Sequence, residues 1–277
     1  MSSFFSSHIL GAFAGSLVLA GQAFAAATPS ASQIFRAENP MPEFSNGYVV
    51  YGEAITTQLN AFRGQLTGSV APYNFEGATV GATSVSLGFT GSAGPINATL
   101  SGGVVRNSAS FGRYNTTQPS STNETPRRYL EVQTGATQQA GGPSGQFSIS
   151  FSRTISAFAF FGTDIGDFDG TLFMDMYAGT QLLTSLSVRD SNTVTPAAGS
   201  DLLFYGFASP EVAYDRIVFR TSSTNGNDVF GFDDFWAADA GQLVGTPPSG
   251  VPEPGSLALV GLALCAAGCA RKARQAT

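Results

Sequence analysis

The sequence predicts an all-β fold, an antiparallel jelly-roll-like β-sandwich over residues 73–240, flanked by an N-terminal signal peptide and a C-terminal single transmembrane helix. Three observations carry this expectation. From Tyr73 onward, short segments rich in Val, Ile, Thr and Phe are broken by Gly, Asn and Pro at fairly even spacing, the pattern of many short strands. The run Phe147-Ser148-Ile149-Ser150-Phe151 alternates apolar and hydroxyl residues, which gives a strand one face for a core and one for water. Helical spacing of apolar residues is convincing only from Glu53 to Gln65, through Ile55, Leu59 and Phe62. Strands that are half apolar each bury one face when they pack as two sheets, hence the sandwich.

Taken in order, residues 1–27 read as a signal peptide. Ile9 to Ala20 is apolar and of the right length, and Ala23-Phe24-Ala25 or Ala25-Ala26-Ala27 offers a small-x-small cleavage site. The polar start Met1 to Ser7 has no Lys or Arg, a departure from the usual basic region. Residues 28–72 read as a linker containing the short helix. Strands are expected at Ser84–Thr90, Asn97–Ser101, Tyr129–Thr134, Gln146–Ser152, Ala157–Gly162, Thr171–Tyr177, Leu182–Val188, Leu202–Phe207, Arg216–Arg220 and Val229–Trp236. The polar stretch Asn115 to Arg127 reads as a projecting loop, and residues 241–250 as a second linker.

Composition narrows the chemistry. The chain has 277 residues and a net charge of −6. Without its two ends it carries ten Arg against eighteen Asp and Glu, a net charge of −8, and no lysine, since the only one in the chain, Lys272, lies in the C-terminal end. An acidic exterior argues against nucleic acid and anionic lipid as partners and leaves glycans, cations and proteins. His8, Cys265 and Cys269 all fall in the end segments, so the domain lacks the parts of Ser-His-Asp, Cys-His and histidine–zinc sites. A non-catalytic protein is expected. A glycan hydrolase working through two carboxylates is the alternative, although no pair is singled out, and a self-associating adhesin with an exposed edge strand is another.

Residues 251–277 hold three parts in sequence. Val251-Pro252-Glu253-Pro254 is an extended corner, since proline fixes φ and removes a donor. Gly255 to Ala270 is an uncharged run of 16 residues, against roughly 20 for a comfortable span. Arg271-Lys272-Ala273-Arg274 is basic and belongs on the cytoplasmic side, which sends the preceding domain across the membrane. These parts resemble the PEP-CTERM sorting signal of Gram-negative bacteria. The resemblance implies recognition by an exosortase-type membrane transpeptidase, processing at Pro252, Glu253 and Pro254, a membrane anchor before processing, and delivery to the cell envelope, cell surface or extracellular matrix. Asn74-Phe75-Glu76-Gly77, Gly162 to Asp167, Tyr214 to Phe219 and Phe230-Gly231-Phe232-Asp233-Asp234-Phe235 are similar to recurring blocks of PEP-CTERM cargo domains with a lectin-like sandwich. That likeness implies a fold and an address and little chemistry.

Two sets of residues are candidates for binding. Where jelly-roll termini meet, Glu76 and Asp233 or Asp234 become neighbours, a pair suited to a structural Ca²⁺, which takes six to eight oxygen ligands. Asp164, Asp167 and Asp169 are the alternative set, and an Asx-type turn is the plain reading of that loop. Because strand side chains alternate, Asp233 and Asp234 are expected on opposite faces. Tyr114, Tyr177, Tyr205 and Trp236 are the candidates for stacking on sugar rings of an exopolysaccharide, while the phenylalanines are assigned to the core.

Overall fold

The structure is a computed structural model. It describes residues 29–30, 33–45, 48–110, 112–119, 127–134, 146–166, 168, 170–190, 201–222 and 228–245. Residues 1–27, expected to be a signal peptide, and residues 251–277 lie outside them. Among the described residues no helix is long and apolar enough to cross a membrane.

The strands, in chain order, are β1 (Ile34–Asn39), β2 (Glu43–Ser45), β3 (Tyr48–Val50), β4 (Ser84–Phe89), β5 (Ile96–Ser101), β6 (Val104–Arg106) and β7 (Tyr129–Gln133). They continue with β8 (Gln146–Ile155), β9 (Ala157–Thr163), β10 (Thr171–Ala178), β11 (Gln181–Asp190), β12 (Leu202–Ala208), β13 (Tyr214–Thr221) and β14 (Val229–Ala238). One antiparallel sheet has the order β1-β12-β9-β14-β7-β6, and a second has β11-β10-β13-β8-β5-β4. Every strand expected from the sequence is present with its ends moved by a few residues. Unforeseen are β1, β6 and the β2–β3 hairpin.

β1 changes the reading of residues 28–72. Its six residues pair with β12 from Ile34↔Phe207 to Asn39↔Leu202, so this part of the expected linker is an edge strand of the first sheet. The helix α1 (Glu53–Arg63) follows and lays Ile55, Leu59 and Phe62 on the outer face of that sheet. Eleven residues make a marginal helix in isolation. Burying three large apolar side chains, at about 1.5–3 kcal/mol each, offsets that cost.

The architecture therefore has three layers, and this explains the apolar runs of the central strands. β9 (AFAFFGT) and β12 (LLFYGFA) are buried at every residue. Phe158 and Phe160 face the other sheet, while Ala157, Ala159 and Phe161 face α1. Between the sheets the rings interlock, with Phe147 of β8 stacked on Phe219 at 4.4 Å and meeting Phe232 of β14 at 4.8 Å. The two-residue corner that takes the chain from β5 in one sheet to β6 in the other is Gly102-Gly103, at φ 101° and 70°. A Cβ at either residue would approach a backbone carbonyl oxygen to 2.9 Å, so the corner requires glycine twice.

Candidate functional site

β14 departs from a regular strand at the acidic pair. Its pairing with β9 runs through Asp233↔Phe161, then slips before Trp236↔Ala159, and Asp234 takes a left-handed φ of 48°. The bulge cancels the expected alternation. Both carboxylates reach the same two residues, Thr116 and Thr117, in a segment without regular structure between Gly112 and Pro119.

The hydrogen bonds differ between the two acids. Asp233 Oδ2 accepts from Thr116 N at 2.7 Å and Thr117 N at 3.2 Å, and Oδ1 accepts from Asp234 N at 2.8 Å. Asp234 Oδ2 accepts from Thr116 Oγ1 at 2.9 Å and Oδ1 from Thr117 Oγ1 at 3.1 Å. Both side chains are buried. Burial raises the proton affinity of each, the charge of Asp234 raises Asp233 further, and Asp234 is pushed up to about 6. The backbone donors on Asp233 pull the other way, because they favour a bare carboxylate. A pair this close titrates as a unit. Both threonine hydroxyls also reach Asp233 Oδ2, at 3.4 and 3.3 Å. Three N–H donors converge on Asp233 alone, however, and the shorter hydroxyl contacts are those of Asp234, an arrangement that favours Asp233 as the carboxylate and Asp234 as the holder of a shared proton.

Beside the pair lies a pocket of about 530 Å³ between α1, residues 71–74 and the Thr117–Gln118 segment. Asn60, Asn74, Gln118 and Asp234 give it polar groups, and Leu59 and Pro72 apolar walls. The Tyr51 ring stacks on Phe161 at 4.8 Å, and its hydroxyl donates to the Thr116 carbonyl at 2.6 Å. Burial first, then the charge of Asp234, pushes the Tyr51 hydroxyl above its ordinary range, so it stays a donor. The Arg63 guanidinium stands 5.7 Å from the Trp236 ring centroid.

The other expected site residues are placed as follows. Glu76 closes a loop, its Oε1 accepting from Arg127 N and Arg128 N, each at 2.8 Å. It remains close enough for its charge to raise Asp234. Asp164 is buried and takes Arg113 Nη1 at 3.4 Å, and Arg113 in turn reaches Glu131 at 3.1 Å. Asp167 and Asp169 lie outside the described residues, as do Pro252, Glu253 and Pro254. Among the described residues no group of three or more His, Cys, Asp or Glu is arranged to hold a metal.

The aromatic candidates need correction. Tyr205 and Trp236 are 2% and 1% exposed, because the first sheet is covered on both faces. Tyr114 is buried and meets Phe44 edge-on at 4.9 Å. Tyr177 is half-buried, with Arg216 lying over its ring at 4.1 Å. None of the four presents a bare ring face.

Sequence reasoning passed over Thr116, Thr117, Tyr51 and Gln118. The only signal for them was the Thr-Thr pair in a polar loop, and nothing local couples that loop to β14 across more than a hundred residues. Fold and site together define a three-layer β-sandwich with a polar pocket resting on a buried acid pair. No family model matches the chain, and no curated protein matches it.

Proposed function

We propose that this chain is an exported envelope or extracellular-matrix protein, processed by an exosortase-type enzyme at Pro252, Glu253 and Pro254. Its jelly-roll-like sandwich is a non-catalytic module that binds a sugar unit of a surface polysaccharide. The address rests on the three-part segment 251–277, whose apolar run anchors the protein in the membrane until it is processed. The binding role rests on the pocket beside Asp234, because donors, acceptors and apolar walls converging in one cleft suit a polyhydroxylated ring. A non-catalytic reading is supported by the carboxylate oxygens themselves, which already face N–H and O–H donors.

Mass spectrometry of protein made in an exosortase-bearing host tests the address. The expected mature chain stops near Glu253 or Pro254, or is joined there to another group; an intact Thr277 in the membrane fraction sinks the processing claim. A glycan array with wild type and Asn60→Ala tests the pocket, and binding that Asn60→Ala does not weaken removes it.

A second reading places Ca²⁺ between Asp234 and Glu76. It is favoured by the repulsion between these two carboxylates, which a cation relieves. In that reading 1 mM-scale Ca²⁺, about the affinity range of extracellular sites, raises the unfolding temperature of wild type and leaves Asp234→Asn unmoved. Identical melting in Ca²⁺ and EDTA eliminates the ion.

A further inference from the structure

The outward face of the second sheet carries two patterns in register. Arg216, Val218 and Arg220 on β13 lie directly opposite Tyr177, Asp175 and Phe173 on β10. Each arginine covers the aromatic ring across from it, Arg216 at 4.1 Å from the Tyr177 centroid and Arg220 at 4.2 Å from that of Phe173. Arg220 is neutralised by Asp175, with Nε to Oδ2 at 2.6 Å. Arg216 makes no ion pair among the described residues, and its Nε is a buried donor without a hydrogen bond.

The second pattern runs sideways from Arg216. Across successive strands its row continues through Ser150, Thr99 and Ser86, and the neighbouring row from Val218 through Ser148, Ser101 and Ser84. Neighbouring strands place such side chains roughly 4.8 Å apart. Ser86, Asn97, Thr99, Ser150 and Ser152 line a shallow groove of about 410 Å³ there.

We propose that this face binds an acidic polysaccharide, a uronate-bearing chain lying across the strands with a carboxylate on Arg216 and its hydroxyls on Ser150, Thr99 and Ser86. The proposal rests on the glycan-binding reading of the domain and assigns it a second surface, separate from the pocket beside Asp234. Charge selects the occupant. A cation without an ion pair among the described residues, set beside a row of neutral hydroxyl side chains, matches a carboxylate on a hydroxyl-rich chain, whereas the phosphodiester backbone of DNA offers few hydroxyls to Ser150, Thr99 and Ser86. Geometry selects carboxylate, because a guanidinium held flat on an aromatic ring is pre-organised, weakly hydrated and shaped for a two-point carboxylate contact. Short hydroxyl side chains keep the rest of the face level, so a linear chain can approach the sheet closely.

Affinity electrophoresis of the full chain in neutral detergent, through gels containing polygalacturonate or dextran, tests this. Wild type is expected to be retarded by polygalacturonate and not by dextran, with the effect lost near 0.5 M salt, where screening reaches a few ångströms. Arg216→Gln and the charge-opposing Thr99→Glu should each weaken retention at least about tenfold, with unfolding temperatures unchanged. Retention of both variants at wild-type level overturns the proposal, as does equal retardation by dextran or by single-stranded DNA. Asn60→Ala in the pocket should not alter polygalacturonate retention. If that variant abolishes retention and Arg216→Gln does not, this face is excluded while the pocket reading stands. If neither gel retards the wild type, this face is excluded, and the pocket reading is decided separately by the glycan array with Asn60→Ala.

Discussion

Asp233→Asn is expected to cost the domain about 3 kcal/mol and to release Thr116 and Thr117 from β14. Both oxygens of Asp233 accept from backbone N–H groups, Oδ2 from Thr116 and Thr117 and Oδ1 from Asp234. An asparagine has only one acceptor oxygen, so whichever way its amide turns, an NH₂ confronts a buried N–H. Each buried donor left unsatisfied costs about 1–3 kcal/mol, a large fraction of the roughly 5–15 kcal/mol that a domain has in total. Urea unfolding at pH 7 measures the loss. Trp236, the only tryptophan in the chain, sits two residues from the bulge and reports local release through its fluorescence. An Asp233→Asn protein with wild-type stability would mean that the three backbone bonds contribute nothing, and with them would go the account of how the 112–119 segment is held.

How far the sequence reveals this arrangement depends on where each signal is encoded. The strands of the second sheet are legible because they are half-exposed: Phe147-Ser148-Ile149-Ser150-Phe151 writes its two faces in alternation, and the structure keeps them. β9 and β12 are legible as strands but not as doubly buried ones, since Ala157-Phe158-Ala159-Phe160-Phe161 shows apolar residues without saying what covers each face. The covering helix α1 is legible from Ile55, Leu59 and Phe62, whereas the edge strand β1 comes from a stretch whose Pro, Ser and Ala resemble a linker, and pairing with β12 decides its conformation more than propensity does. For the acid pair, the spacing of Asp233 and Asp234 predicts opposite faces. The bulge and the left-handed Asp234 reverse this, and the residues that then meet both carboxylates, Thr116 and Thr117, are distant in sequence. The residues on the outward face of the second sheet are all readable, yet the ordering of rows requires the strand order β10-β13-β8-β5-β4, a property of the whole fold.

Asp234→Asn should behave in the opposite way to Asp233→Asn and should depend on pH. Its partners are hydroxyls, which can accept from an amide NH₂ as readily as they donate to a carboxylate, so the substitution imitates the protonated acid and preserves the contacts. The folded-state proton affinity of Asp234 is raised to about 6 from an ordinary 3.8, with burial as the main cause; Arg63 opposes the shift and Glu76 adds to it. Raising a carboxyl in the fold means that the neutral form is favoured there. The stability it confers is fully present below about pH 3.8, is lost as pH rises through about 6, and is level beyond that. Wild type and Asp234→Asn are therefore expected to have similar stability near pH 4. By pH 8 the variant should be the more stable, by an amount on the order of 2–3 kcal/mol. Denaturant titrations of both proteins across this range check the sign as well as the size, and the difference between them cancels every carboxylate except Asp233, whose coupling to Asp234 the substitution also removes. Parallel curves from pH 4 to pH 8 would show that the pair holds no shared proton, and the two acids would then be an ordinary hydrogen-bonded clasp whose charge is tolerated in the core.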